Sequence, residues 1–363
     1  MPGKVLIAGA SGLVGAAAVD QFAASGWPVV AVSRRRPETE TDAIFEHLAV
    51  DLRDPADCRA AFGDRRDITH VVYTAVSETP GLVPGWRDPV NIERNGGMLR
   101  HLLEPLAAAG SPLEHVSLLQ GTKAYGGSVR PMRVPARERQ PRVEHPNFYW
   151  VQEDYLREQA AVYGWRHTIF RPQLIVGPSY GVAMNLPPVI GAYAAICQAE
   201  GRPFGYPGGA SYVWEAVDTR LVGRALVWAA TAPAAAGETF NLTNGEVFEW
   251  RDLWPALADA LGVQPGPDEP VRLAEFLPAR AGLWDAITAR HGLRPVPLAD
   301  LLGESHHYAD LCFNYGVADG RRSPAFVSTV KIRQAGFTEA QDTELSFRHW
   351  LRLLIERKVL PAP

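Results

Sequence analysis

The run Lys4-Val5-Leu6-Ile7-Ala8-Gly9-Ala10-Ser11-Gly12-Leu13-Val14-Gly15 restricts what this chain can fold into more than any other segment. An apolar stretch of strand character passes through a G-x-x-G-x-x-G turn into a helical pattern. Glycines at these places let the chain turn sharply, let a pyrophosphate approach the backbone, and let the helix pack tightly on the strand. The phosphate then rests on the unpaired N–H groups of the helix N-terminus. Spacing of this kind recurs in many proteins, and a ligand-free glycine turn is the competing reading. The strand–turn–helix order favours a dinucleotide site.

The segments that follow keep the same rhythm. Val5 to Ala8, Val29 to Val32, His47 to Val50, His70 to Tyr73, Val116 to Leu119 and Thr168 to Phe170 read as strands without polar alternation. That is the pattern of strands buried on both faces of a parallel sheet. Leu13 to Ala24, Pro55 to Phe62, Asn91 to Leu106 and Tyr149 to Tyr163 read as the intervening helices. The alternation predicts an α/β fold, a Rossmann doubly wound parallel sheet. After Arg171-Pro172 the rhythm changes, with helical stretches at Val189 to Ala199 and Trp250 to Leu261 and a late strand opening at Glu238. A chain of 363 residues exceeds one typical compact core. Residues 1–179 are expected to form the cofactor-binding domain and 180–363 a smaller, mostly helical substrate-binding cap. Residues 206–245 are expected to return to the sheet.

Composition narrows the partners. A net charge of −4 offers no basic excess for nucleic acid or an anionic membrane. No apolar stretch is long enough for a membrane span. Cys58, Cys197 and Cys312 are scattered and unlike zinc-ligand spacing, and the N-terminus shows no targeting pattern, so a reduced, cytoplasmic setting is expected. No metal cluster and no Gly-x-Ser-x-Gly elbow is present in the pattern. The adjacent His306 and His307 are expected to point apart, in a loop or capping role.

The end of the second strand indicates which dinucleotide. An NAD site would place an acid there for the ribose 2′-hydroxyl. Here Ala31-Val32 runs into Ser33-Arg34-Arg35-Arg36-Pro37. Guanidinium groups and a hydroxyl receive a 2′-phosphate that a carboxylate would repel, which points to NADP(H). A solvated charge cluster on a loop is the alternative reading.

Many enzymes with such a domain carry Tyr-x-x-x-Lys on one helix, but no tyrosine here has a lysine four residues on. Two blocks answer that absence: Leu119-Gln120-Gly121-Thr122-Lys123-Ala124-Tyr125-Gly126 and Asn147-Phe148-Tyr149-Trp150. With Arg171-Pro172, Met184-Asn185, Tyr193-Ala194-Ala195-Ile196-Cys197 and Phe240-Asn241-Leu242-Thr243-Asn244-Gly245, they resemble the progesterone 5β-reductase / iridoid synthase family. That family belongs to the atypical extended short-chain dehydrogenases/reductases. The resemblance implies that Tyr149 is the donor to the substrate oxygen and Lys123, from the loop after the fifth strand, its electrostatic partner. It further implies an NADPH-dependent reductase of activated alkenes, stabilising an enolate oxygen. Three departures stand out: Gln120 and Lys123 are one residue closer than usual, Trp150 replaces a second tyrosine of plant members, and Thr74-Ala75-Val76-Ser77-Glu78 lacks the plant aromatic.

The expected cofactor contacts are Gly9, Ser11, Gly12, Leu13, Val14, Gly15, Ser33, Arg34, Arg35, Asp51, Leu52, Thr74, Ala75, Gln120 and Ile175. Asp51-Leu52 suits the adenine edge. Met184, Asn185 and Tyr193 are the expected substrate contacts, and the substrate is expected to be a small hydrophobic enone or carbonyl compound. The enzyme class suggests a homodimer, which no sequence feature encodes. Two other functions stay open: a carbonyl reductase, dehydrogenase or sugar-nucleotide-type enzyme on the same fold, and a non-catalytic NADP(H)-sensing regulator.

Overall fold

A computed structural model of the chain describes residues 3–317 and 325–363. Seven parallel strands form one sheet: β1 (Val5–Ala8), β2 (Val29–Val32), β3 (Glu46–Leu48), β4 (His70–Tyr73), β5 (His115–Leu119), β6 (Arg166–Pro172) and, after three short strands, β10 (Glu238–Leu242). The short strands are β7 (Ile175–Val176), β8 (Val213–Trp214) and β9 (Val217–Asp218). The sheet order is β10-β6-β5-β4-β1-β2-β3. It reverses direction at β1, so the crevice at the carboxyl ends of β1 and β4 is the switch point where such sheets bind ligands.

β1, β2 and β4 are buried throughout, as their unbroken apolar runs require. β3 begins one residue earlier than the sequence pattern suggests and stops at Leu48. It is the sheet's edge, bonded on one side to β2, so nothing on its far side extends the ladder to Val50.

Helices α1 (Leu13–Ala24), α2 (Pro55–Phe62), α3 (Pro89–Ala108) and α4 (Phe148–Tyr163) alternate with the first strands. Their starts are written in the sequence. Asp54 accepts from the N–H groups of Ala56 and Asp57, with Pro55 in the first turn, and Asp88 precedes Pro89 in the same way. Asn147 caps α4 by accepting from Tyr149 N–H, and Gly164 ends that helix with φ +76. One face of the sheet packs on α1 and on α6 (Thr219–Thr231), the other on α2, α3 and α4.

The remainder is mostly helical. α5 (Pro187–Ala199) is buried from Pro187 to Cys197, as expected for a helix apolar on every side. It packs among α7 (Trp250–Leu261), which follows β11 (Phe248–Glu249), and α9 (Ala281–His291), α10 (Leu298–Leu302), α11 (Ser305–Cys312) and α13 (Thr343–Glu356). Two small helices, α8 (Leu273–Phe276) and α12 (Val330–Gln334), complete the described chain. His306 and His307 lie on α11 with ring centres 4.3 Å apart. They do not point apart as neighbours on an extended chain would, because successive residues on a helix are offset by about 100° rather than 180°.

Candidate active site

The glycine turn sits where β1 meets α1. Gly9 has φ +80, and a β-carbon there would stand 2.7 Å from the Ala75 backbone. At Gly15 a β-carbon would stand 2.1 Å from the Gly9 carbonyl oxygen. Gly12 is the N-cap of α1 and supplies no side chain to the helix's first N–H groups. Bare donors and the positive end of a twelve-residue helix therefore face the turn, a fit for a pyrophosphate. Ser11 and Leu13 are half-buried beside it, and Val14 is buried. The Thr74 hydroxyl donates to the Ala8 carbonyl at 2.8 Å, tying the end of β4 to the turn. Ile175 packs on the core beneath α1.

At the end of β2, Arg34 and Arg35 are exposed, while the Arg36 guanidinium lies 4.5 Å from the centre of the Phe45 ring. Ser33 is buried and donates its hydroxyl proton to the Arg35 carbonyl at 2.6 Å, so it shapes the arginine loop. Arg35 also lines an open cleft of about 380 Å³ with Tyr180, Gly181 and the 295–297 segment. The Asp51 carboxylate is gripped by Arg53 at 2.6–3.1 Å, which holds its pKa down to about 2, with Arg34 adding to the effect. Leu52 is buried, and its carbonyl meets His101 Nδ1 at 2.9 Å.

Tyr149 opens α4 and is buried. Its hydroxyl approaches Gly121, where the chain is fully extended with φ −174. Burial pushes the phenol pKa well above its ordinary value, the Glu78 carboxylate pushes the same way, and Arg171 opposes them weakly. The group is a proton-bearing donor over the whole neutral range.

Lys123 reaches the same place from a short 3-10 turn, Thr122–Tyr125, which Gly126 ends with φ +71. Its Nζ lies 4.2 Å from the centre of the Trp86 ring and 6.0 Å from that of Tyr149. Burial lowers its pKa, and the Glu78 carboxylate, with Oε1 3.7 Å from Nζ, works against that. The two sequence blocks thus converge, with no hydrogen bond between lysine and phenol. Glu78 and Trp86 were not foreseen. Glu78 stood in view among the residues after β4, but nothing local says that its carboxylate turns inward. From the same loop, Trp86 brings an aromatic ring against Lys123.

Gln120 is buried and its side chain is fully committed. It donates to the Tyr149 carbonyl and to Glu153 Oε2, both at 3.2 Å, and accepts from Arg171 Nε at 3.0 Å. Arg171 Nη2 lies 3.1 Å from Glu153 Oε2, both side chains being 6% exposed. Burial pushes the Glu153 carboxyl up, but Arg171, Arg142 and Arg157 outweigh it and keep it ionised. This network anchors the first turn of α4 to β5 and β6, and so fixes Tyr149. Trp150 stacks on Arg142 at 4.8 Å, turned to that network.

The expected substrate residues separate. Met184 is half-buried. Asn185 is fully buried, donates to the carbonyls of Gly177 and Ser179 at 2.8 and 2.7 Å, and accepts from Gly177 N–H at 3.3 Å. It holds the turn that passes Leu13, since a β-carbon on Gly177 would meet Leu13 Cδ1 at 2.7 Å. Tyr193 has no exposed surface. Its hydroxyl donates to the Gly205 carbonyl at 3.2 Å and its ring packs on Phe204 and Phe276, which makes it a core residue in this structure.

Among the described residues, no group of three or more His, Cys, Asp or Glu is placed to hold a metal ion, and no helix is long and apolar enough to cross a membrane. Residues 5–243 match the NAD dependent epimerase/dehydratase family. The chain is 30% identical to a 3-oxo-Delta(4,5)-steroid 5-beta-reductase of Arabidopsis thaliana, over 98% of its own length and 92% of the relative's. It is also 30% identical to an (S)-8-oxocitronellyl enol synthase of Nepeta cataria, over 98% and 91% of the two chains. Among solved structures, the UDP-glucose 4-epimerase of Thermus thermophilus, in complex with NAD, has a TM-score of 0.65 at 20% identity, covering 98% of this chain and 99% of that one. That likeness speaks to the fold alone.

Proposed function

The chain belongs to the NAD dependent epimerase/dehydratase family, in its progesterone 5β-reductase / iridoid synthase branch, and on that footing we propose that it is an NADPH-dependent reductase of activated alkenes. It is an enzyme of the short-chain dehydrogenase/reductase superfamily. The observation that carries the reading is the buried phenol of Tyr149, its pKa pushed up by burial, with Lys123 Nζ 6.0 Å from its ring centre. The cofactor, when bound on the glycine turn, supplies the hydride. Tyr149 donates a hydrogen bond to the carbonyl oxygen of an α,β-unsaturated ketone or aldehyde. Charge collects on that oxygen as the β-carbon gains hydride, and a preorganised donor in a dry site stabilises it. Lys123 adds a positive charge at short range, and the α-carbon takes its proton from water.

Arg34 and Arg35, exposed at the end of β2 with no acid among residues 33–36, support NADPH over NADH. The cap built around α5 would close over the substrate. Met184 remains a candidate contact there, whereas Asn185 and Tyr193 would act by supporting the site's walls.

The test is incubation of the purified chain with NADPH and a simple cyclic enone, with product analysis. The saturated ketone is the expected product. Allylic alcohol alone would replace this reading with carbonyl reduction. Cofactor binding without oxidation, across a panel of enones and ketones, would favour a regulator.

A further inference from the structure

Glu78 plays no part in the chemistry above, yet its carboxylate is the acid that meets Lys123. Glu78 Oε1 lies 3.7 Å from Lys123 Nζ, and its side chain is 8% exposed. Neither carboxylate oxygen nor Nζ has a hydrogen-bond partner among the described residues. Burial pushes the Glu78 carboxyl up and the Lys123 ammonium down, and each charge opposes the other's shift, so the two groups depend on each other, since either charge alone in such surroundings is strongly disfavoured.

The loop that carries Glu78 is held from outside. On α3, Asn91 and Asn95 stand one turn apart and face it. Asn95 accepts from Ser77 N–H at 2.8 Å and donates to the Ser77 carbonyl at 2.9 Å. Asn91 donates to the Gly85 carbonyl at 3.1 Å, next to Trp86. Glu304, after α10, accepts from Gly81 N–H at 2.8 Å. Both asparagines are fully buried. Glu78 and Trp86 are thus each neighbour to a residue whose backbone is clamped, and together they bracket the lysine.

We propose that Glu78 is a positioning residue for Lys123: its carboxylate holds the ammonium between the Trp86 and Tyr149 rings, and the pair, neutral as a whole, keeps the phenol in its hydrogen-donating form. This rests on the reading of Tyr149 as donor to the substrate oxygen. The charged groups that face the pair are Glu304 from the cap side and Arg171 from β6, with His307 3.8 Å behind Glu304. The negative charge of Glu78 favours the ammonium form of Lys123 and disfavours a phenolate at Tyr149. Removing it lowers both. Whichever of the two loses its proton first, the alkaline limb of the rate profile moves to lower pH.

The chain has four lysines, Lys4, Lys123, Lys331 and Lys358, so ε-carbon-labelled lysine gives a spectrum that a Lys123→Arg variant assigns. In wild type the Lys123 signal should titrate once in alkali and show a second, acid inflection as Glu78 takes up its proton. In Glu78→Gln the alkaline midpoint should fall by about one pH unit or more, the effect of a charge at this range. The alkaline limb of kcat for enone reduction should move with it, and Glu78→Asp should recover part of both shifts. A Lys123 midpoint in Glu78→Gln equal to that of wild type overturns the proposal. So does a wild-type signal without the acid inflection, which needs no variant to fold. If wild type reduces no enone, the reductase reading fails, while the lysine titration still decides the pairing.

Discussion

The Tyr149 hydroxyl stands 3.1 Å from the point that a β-carbon on Gly121 would occupy. That is tighter than ordinary carbon–oxygen contact, and Tyr149 is held by Asn147, Phe148 and the Gln120 network, so the phenol has little room to yield. Gly121→Ala is expected to push the hydroxyl off the substrate oxygen and lower kcat by about tenfold to a hundredfold, since a displacement near 1 Å costs that much. NADPH affinity, read by fluorescence titration, should stay within about twofold. An Ala variant with wild-type kcat would mean that the phenol is not poised against Gly121.

Loss of the donor itself is a larger change. Tyr149→Phe removes the hydroxyl and keeps the ring against Phe148, so folding and cofactor binding should persist. The expected fall in kcat is about a hundredfold to a thousandfold, the usual cost of one oxyanion donor. Steady-state rates of NADPH oxidation with an enone check it. Retention of more than a tenth of wild-type kcat would assign the donor role elsewhere.

Much of this site was legible because it is written locally. The glycine turn and the buried runs of β1, β2 and β4 each follow from a few adjacent residues, whereas the Asp88 cap starts α3 at Pro89, two residues before the expected Asn91. Lys123 and Tyr149 came into view through blocks that resemble a family, and the sheet then brought them together at the ends of β5 and β6. What stayed hidden depends on contacts between distant segments. Glu78 looks like any loop acid until Asn95 turns Ser77, and Tyr193 looks like a pocket aromatic until Gly205 takes its hydroxyl. The Gln120 side chain is tied to Glu153 and Arg171 on α4 and β6, which no local pattern reports. Periodicity reports which face of an element is apolar. It does not report which polar group on another element satisfies a side chain.

The arginine loop makes cofactor choice measurable. Arg34 and Arg35 project outward at the end of β2, and a charge-assisted hydrogen bond is worth about 1.5–3 kcal/mol. Arg34→Ala or Arg35→Ala should therefore raise the KM for NADPH by about tenfold to a hundredfold. The KM for NADH should change little, because no 2′-phosphate is present to lose. Added salt should weaken NADPH binding in wild type more than in either variant. Equal loss of both cofactors would show that the arginines hold the loop rather than read the phosphate.

Glu215 gives the fold a pH signature of its own. It lies between β8 and β9, is 8% exposed, and accepts from Val327 N–H at 2.9 Å. Through that bond it holds the 325–328 segment, which also pairs with Ala136 by two backbone hydrogen bonds of 2.7 and 2.8 Å. Burial raises the Glu215 carboxyl to about 7, against the pull of the Val327 N–H. An acid with a raised folded-state pKa keeps its proton in the folded chain while the unfolded chain has released it. Its contribution is fully present below about pH 4.5 and is lost as pH rises through about 7. The loss is on the order of 3 kcal/mol. Glu215→Gln stays neutral and keeps an acceptor for Val327, so its stability should not carry this decline. Urea unfolding of both proteins at about pH 5 and about pH 8 measures it. Relative to wild type, the Gln variant should gain stability on going to the higher pH, and a pH-independent difference would show that Glu215 does not titrate in this range.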